Sequence, residues 1–272
     1  MVESRRAIDD PVKIKLNRVI RCRWLRPTMI ILLALLACAA ALFIDPIAQP
    51  LSYHQLADRR TFLKIPNVLD VTSNLPFLVI GLMGMYHCLR RPERDARYSW
   101  LLFFVGVSCV AFGSAYYHWL PSNRTLAWDR LPMAVAFMAL FVALLSERID
   151  DRIERYYLLP AVVLGIVSVA YWRWSDDLRV YGLVQFGPLL MLPMVLLLFE
   201  ARYTQQRFLL YALLWYAAAK LCEVFDGEIF MATGRFMSGH TLKHLFAAAA
   251  VWCIYRMLVK RVPVAGVGRT QR

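Results

Sequence analysis

The sequence predicts an all-α polytopic membrane protein, a seven-transmembrane-helix bundle with one extra N-terminal transmembrane helix. Three observations carry that prediction. The chain is 60% apolar and only 19% charged, with a mean hydropathy of +0.48, whereas a soluble domain is roughly 45–50% apolar with about 25% charge. Apolar runs long enough to span hydrocarbon recur along it, and its basic residues gather on alternate loops. The same composition excludes disorder and a disulfide-rich secreted scaffold. A formal charge of +13 fits either a nucleic-acid binder or a membrane protein with one basic face. Only the distribution of that charge separates the two.

Taken in order, a basic arm over residues 1–27 precedes an apolar run at 28–44. That run carries the small-residue stretch Ala37, Cys38, Ala39, Ala40, Ala41, as a signal peptide would. The basic arm is long for a signal peptide, so an uncleaved anchor is the favoured reading. Seven further runs follow near 70–89, 99–118, 131–147, 157–172, 181–199, 208–224 and 240–259, which together form a core over 70–259. Each approaches the ~20 residues that cross ~30 Å of hydrocarbon at ~1.5 Å per residue. The runs at 131–147 and 208–224 are the weakest, because Glu147, Lys220 and Glu223 sit at their ends. A basic tail over 260–272 closes the chain.

The basic residues set the direction of each helix. Of 32 Lys and Arg, 22 lie in the arm, in the loops near 90–97, 148–155 and 200–207, and from Arg256 onward. The opposite loops hold 8, while Lys220 and Lys243 fall within helices. This bias predicts cytoplasmic termini and an even number of spans, which eight satisfies. Charge shared among the loops of one membrane face is no nucleic-acid site. The lean loops suit a bacterial inner membrane. The six cysteines (Cys22, Cys38, Cys88, Cys109, Cys222, Cys253) form no CxxC and lie mainly in or beside apolar runs, which favours packing over disulfide or metal roles.

Chemistry concentrates in few places. There are five histidines, His54, His87, His118, His240 and His244, and an imidazole in a span is costly unless it faces the protein interior or a partner. His240 and His244 stand at i, i+4, on one helical face and about one turn apart, a spacing that suits a single metal ion. Taken alone, the pair fits ordinary helix-end hydrogen bonding equally well. Ser114 and His118 repeat the spacing in FGSAYYHW, and Asp129 follows across a tight connection holding Pro121, Ser122 and Asn123. Helix direction places His118 at the outer end of its span and Asp129, His240 and His244 at the outer starts of theirs. Reactive side chains distant in sequence thereby share one membrane depth. Three imidazoles with one open position is the catalytic zinc pattern. Asp129 is placed as a general base toward a water activated there, and Ser114 as a donor to a developing oxyanion.

At these residues the chain resembles the alkaline ceramidase family, within the wider group of seven-helix membrane hydrolases that includes the adiponectin/progestin-type receptors. The matching elements are Ser73 and Asn74 in DVTSNLPF, the GSxxYH element (Gly113, Ser114, His118), the following Asp129 and the last-helix HxxxH, over roughly 70–259. The resemblance implies that His118, His240 and His244 bind zinc, that Asp129 activates water, and that Ser114 stabilises the transition state. It further implies hydrolysis of the amide of ceramide-like membrane lipids to a sphingoid base and a fatty acid. The family's eukaryotic members carry a calcium site before the first core helix. Here that region offers only Asp58 and Asp70, with Asn67 where a later Glu falls, which puts calcium dependence in doubt.

Ser73 and Asn74 read first as interhelical hydrogen-bond partners and second as residues shaping the site. Lys220, Glu223 and Asp226, at spacings of three, fit equally an ion-pair network with Lys243 or head-group recognition. His87, beside Arg90 and Arg91, reads as interfacial, His54 with Asp58 as a surface residue, and Trp119, Trp128 and Trp172 as belt aromatics. The competing functions are a lipid-binding receptor of the same fold with structural zinc, a hydrolase of another N-acyl lipid, and a metal-free serine hydrolase using Ser114 and His118. A transporter fits least, because the polar residues cluster at one depth instead of lining a path.

Overall fold

Residues 25–90 and 95–264 are described by a computed structural model. Cys22, most of the basic arm and the end of the tail lie outside the described residues. Helix α1 (Leu25–Phe43) is followed by an irregular segment with one short 3-10 turn, Leu51–His54. The core comprises α2 (Val68–Thr72), α3 (Leu75–Arg90), α4 (Arg97–Trp119), α5 (Asn123–Arg148), α6 (Arg152–Ser175), α7 (Arg179–Leu198), α8 (Arg207–Val224), α9 (Asp226–Ala232) and α10 (Gly239–Lys260). Among the described residues, seven spans are long and apolar enough to cross a membrane, α2 and α3 counting as one. The chain is an all-α, multi-pass membrane protein.

The eighth expected span is not a simple rod. The run at 208–224 becomes α8, whose axis turns by 85° into α9. The run at 131–147 is longer than its apolar stretch. Helix α5 begins at Asn123, capped by the Ser122 hydroxyl, which accepts from the Thr125 amide at 3.2 Å. Asp129 therefore sits inside the helix, nearly two turns from its start. Helix α2 ends at Thr72 for a local reason. Pro76 has no N–H to offer the Thr72 carbonyl, and its ring crowds that carbonyl. The interruption falls on Ser73 and Asn74.

Helix α4 is the centre of the bundle, packed against α3 on one side and α5 on the other, while α5 also packs on α6, and α10 on α8 and α3. Trp100, Phe103, Phe104 and Val107 of α4 are buried. The approach of α3 depends on Gly84, since a Cβ there would fall 2.1 Å from the Phe104 ring. Helix α1 lies outside this bundle against α7. The segment after it is tied across the α6–α7 connection: the Leu178 amide donates to the Ile47 carbonyl at 2.8 Å, and Arg179 donates to the Ile44 carbonyl at 2.6 Å. Asp177, hydrogen-bonded and ion-paired to Arg179, is held down at about pH 2 in its titration.

Glu147, the acid that weakened the run at 131–147, is buried with partners. Arg261 donates to both its oxygens at 2.6 and 2.7 Å, and the Trp100 indole N–H donates at 2.6 Å. The Arg261 guanidinium also lies 4.2 Å from the centre of the Tyr203 ring. Arg261, counted among the basic residues of one face, is thus an internal residue. Removing one partner of such a pair leaves an uncompensated buried charge, at a cost of about 3–5 kcal/mol. Glu147→Ala is expected to lower the unfolding midpoint of the detergent-solubilised protein accordingly. An unchanged midpoint would show that the pair contributes nothing to stability.

Candidate active site

The site lies at the end of the bundle where α4, α6 and α8 finish and α2, α5, α7 and α10 begin. His118 sits in the last turn of α4, while His240 and His244 occupy the first two turns of α10. All three are buried, and their candidate ligand nitrogens lie within 4.8 Å of one another. The ring centres are 4.7 Å apart for His118 and His240, 4.8 Å for His118 and His244, and 5.0 Å for His240 and His244.

Local chemistry starts α10 where it does. Ser238 caps it, accepting from the Thr241 amide at 3.0 Å. The buried Asp70 carboxylate accepts from Ser238 at 3.2 Å and from Thr241 at 2.6 Å. The Asp226 carboxylate accepts from the His240 amide at 2.7 Å and from the Ala57 amide at 3.1 Å. Both acids lie at a helix N-terminus, where negative charge is favoured. Gly239 permits the close approach of α8, since a Cβ would lie 2.2 Å from the Cys222 carbonyl oxygen. Gly113 does the same between α4 and α5, 2.1 Å from the Trp128 carbonyl oxygen, and so brings Asp129 beside Ser114.

The imidazoles are oriented for a cation. The Ser73 hydroxyl gives its one proton to the Asp70 carbonyl at 3.2 Å, so at 2.7 Å it accepts from His244 Nδ1. That leaves the His244 Nε2 lone pair free. Neither ring nitrogen of His118 has a hydrogen-bond partner, although both are buried. A buried, unsatisfied imidazole is costly, and three converging imidazoles are a donor set suited to zinc. The cluster fits the ion. It is the one group of three such side chains found among the described residues.

Ser114 hydrogen-bonds the Asp129 carboxylate, and both are buried. With His244, Asn74, Lys243 and Arg130 they line a cavity of about 350 Å³. Glu223 accepts from Lys243 at 2.6 Å and from the Tyr53 hydroxyl at 2.8 Å, and it pairs with Lys220. Lys243 also lies 3.4 Å from His240 Nε2, a weaker contact than the one to Glu223. Away from this polar end the wall is mainly apolar. It runs from Ser114 to Phe103 on α4, Asp129 to Leu140 on α5, Ala219 to Leu209 on α8 and His244 to Ile254 on α10. Each stretch is 11 or 12 residues, and its 10 or 11 steps at ~1.5 Å per residue give a shaft about 15 Å deep. Helices α7 and α8 both line the cavity without packing closely on each other; Gln185 donates to the Tyr216 hydroxyl across the gap at 3.0 Å.

Several expectations need revision. Asp226 does not join Lys220 and Glu223, because α8 ends at Val224 and the spacing of three no longer keeps residues on one face. Ser73 bonds a site histidine as well as linking two helices. His54 is half-buried, its nitrogens 3.0 Å from the Tyr117 hydroxyl and 2.9 Å from Asn123 Oδ1. Trp119 and Trp128 are exposed, but Trp172 is buried, stacked on Arg130. The residues weighed for calcium are otherwise engaged. Asp58 is bound by Arg60 at 2.6 and 2.8 Å, and Asn67 donates to the His118 carbonyl at 2.7 Å. Cys38 and Cys109 are exposed, while Cys88, Cys222 and Cys253 are buried. Sequence reasoning missed Tyr53, Arg130 and Tyr181. Only the neighbouring pair Asp129–Arg130 hinted at one of them.

If the histidines hold a metal, zinc added to metal-stripped protein raises its unfolding midpoint by a few degrees at about 100 times Kd. His244→Ala is expected to abolish the rise. Ser73→Ala, which leaves His244 unoriented, is expected to weaken zinc binding by about 10- to 100-fold, read by competition with a chelating dye. A midpoint indifferent to zinc would refute the metal centre.

Among proteins already known, the Ceramidase family model matches residues 64–264, most of the chain and all of α2 to α10. No curated protein matches.

Proposed function

The chain belongs to the ceramidase family, and we propose that it hydrolyses the amide bond of ceramide-like lipids within the membrane, at a zinc ion held by His118, His240 and His244. The observation that carries this reading is the convergence of three buried imidazoles beside a buried Ser114–Asp129 pair at the polar end of an apolar shaft. Zinc bound there supplies a Lewis acid that polarises a carbonyl and makes water more acidic.

The chain's own residues do the rest. Asp129, buried and facing the cavity, takes the proton of the attacking water and returns it to the leaving amine. Ser114 answers that transfer. While Asp129 is ionised, the hydroxyl donates to it. Once Asp129 carries the proton, the carboxylic acid can donate to Ser114 Oγ, which frees the Ser114 proton for the oxyanion that develops in the same step. Ser73 keeps His244 in one tautomer throughout. Glu223 holds the Lys243 ammonium, so that its charge is offset beside the histidines.

The apolar shaft suits an acyl chain. At about 15 Å it takes roughly a dozen methylenes in extended form, from the ~1.5 Å carbon–carbon bond and its zigzag. The loosely packed α7–α8 boundary suits lateral entry from the bilayer. The charge bias of the loops supports a non-cytoplasmic position for this end of the bundle.

Purified protein is expected to release fatty acid from a ceramide, with zinc bound near one equivalent. Asp129→Asn should lose about 10²- to 10⁴-fold in rate while metal analysis shows its zinc retained. A protein that carries zinc and binds ceramide without turnover, with Asp129→Asn unchanged in function, would favour a receptor instead.

A further inference from the structure

We propose that Arg130 forms a subsite for a lipid carboxylate at the polar end of the cavity, one residue from the catalytic Asp129. Arg130 is only 8% exposed, and a buried guanidinium is expected to find a carboxylate. The other deeply buried arginine of the bundle, Arg261, has one in Glu147. Arg130 makes no salt bridge among the described residues. Its Nη2 donates to the Gln49 side-chain oxygen at 2.6 Å, and its Nη1 is buried with no partner. The side chain lines the cavity.

An aromatic cage fixes its direction. The guanidinium carbon lies 4.2 Å from the Trp172 ring centre, 4.8 Å from Tyr181 and 5.9 Å from Tyr53. Stacking of this kind offsets part of the desolvation cost without using an N–H. The plane is therefore held while Nη1 keeps its hydrogens for an acceptor, enough for a charge-assisted bond to one carboxylate oxygen. Charge at this end agrees. Arg130, Lys220 and Lys243 face only Asp129 and Glu223, and both lysines are tied to Glu223. One cation is left over for one anion.

Gln49 and Tyr53 precede residue 64, where the family match begins. They are held over the site by the segment bonded to the α6–α7 connection, in which the Gln49 amide donates to Asp176 at 3.2 Å. The carboxylate has two sources. It is the fatty-acid product of the proposed amidase, or the head group of an acidic N-acyl lipid. Only that origin rests on the amidase reading; the subsite does not.

The test measures binding of dodecanoate, N-dodecanoylglycine and the methyl ester of each to the full-length protein in nanodiscs, by calorimetry. A charged hydrogen bond of this kind predicts that an acid binds ~10- to 100-fold tighter than its ester. Arg130→Gln should erase that preference and leave ester affinity unchanged. Arg130→Met, which keeps the packing volume between Trp172 and Tyr181, should do the same and serves should the first variant fold poorly. Preference for dodecanoate assigns the site to product, and preference for N-dodecanoylglycine assigns it to an acidic head group. Equal binding of acid and ester by the wild type, or a preference that survives loss of Arg130, overturns the proposal. An Arg130-dependent acid preference in a protein that cleaves no ceramide would refute the amidase reading and leave the subsite standing.

Discussion

A polar side chain inside a helix bundle in hydrocarbon has no water to turn to, so it must find its partner on another helix. In this chain the partners fall into two groups at opposite ends of α4. At one end Trp100, Glu147 and Arg261 satisfy each other across α4, α5 and the residue following α10. At the other, Ser73, Asp70, Ser238, Thr241 and His244 form one connected set across the α2–α3 break and α10. The first group leaves one atom open, the Arg261 Nε. The second leaves more, both nitrogens of His118, one of Arg130 and an oxygen each of Asp70 and Asn74. Where a bundle gathers several open buried polar atoms at one end, that end is where a partner from outside the chain fits.

The open set depends on interruptions as much as on helices. The short break before Leu75, which Pro76 enforces, falls where Ser73 bonds His244 and Asn74 lines the cavity. The 85° turn after Val224 acts similarly. It lets Glu223 face the lysines while Asp226, three residues on, leaves that face and bonds the start of α10. Close backbone approach at Gly113 and Gly239 brings these ends together. Any side chain at either glycine would push apart the two backbones that carry the candidate catalytic and ligand residues.

Much of this was legible in the sequence because hydrocarbon length and charge bias are one-dimensional signals. Counting spans and Lys/Arg sets helix direction, and direction alone puts His118, Asp129, His240 and His244 at one end. What escaped was whatever depends on rotation about a helix axis or on a segment without periodicity. Trp172 reads as a belt residue from its place near a span end, yet its rotation buries it against Arg130. Tyr53 and Gln49 lie in a stretch with no regular pattern, so nothing in the sequence placed them over the cavity. Asp226 was misplaced because a spacing of three has meaning only while the helix continues.

The cavity wall changes character at the level of Ser114 and Asp129, and this step itself selects which bond is presented. Above it stand Tyr53, Arg130, Glu223 and Lys243; below it, apart from Tyr216 and Gln185, which bond each other, the helices offer apolar side chains for about 15 Å. A lipid amide has the same step, a polar head joined to a chain through the scissile bond. Sliding the lipid toward the head-group end exposes methylenes to charged side chains at about 0.8 kcal/mol per CH₂, and sliding it the other way buries head-group oxygens among Phe103, Leu140 and Ile254 without partners. Both displacements are uphill. For the proposed amidase, a lipid amide would therefore rest beside Asp129 through partitioning along the wall, and positional selectivity for the bond and tolerance of varied chains would follow from the same geometry.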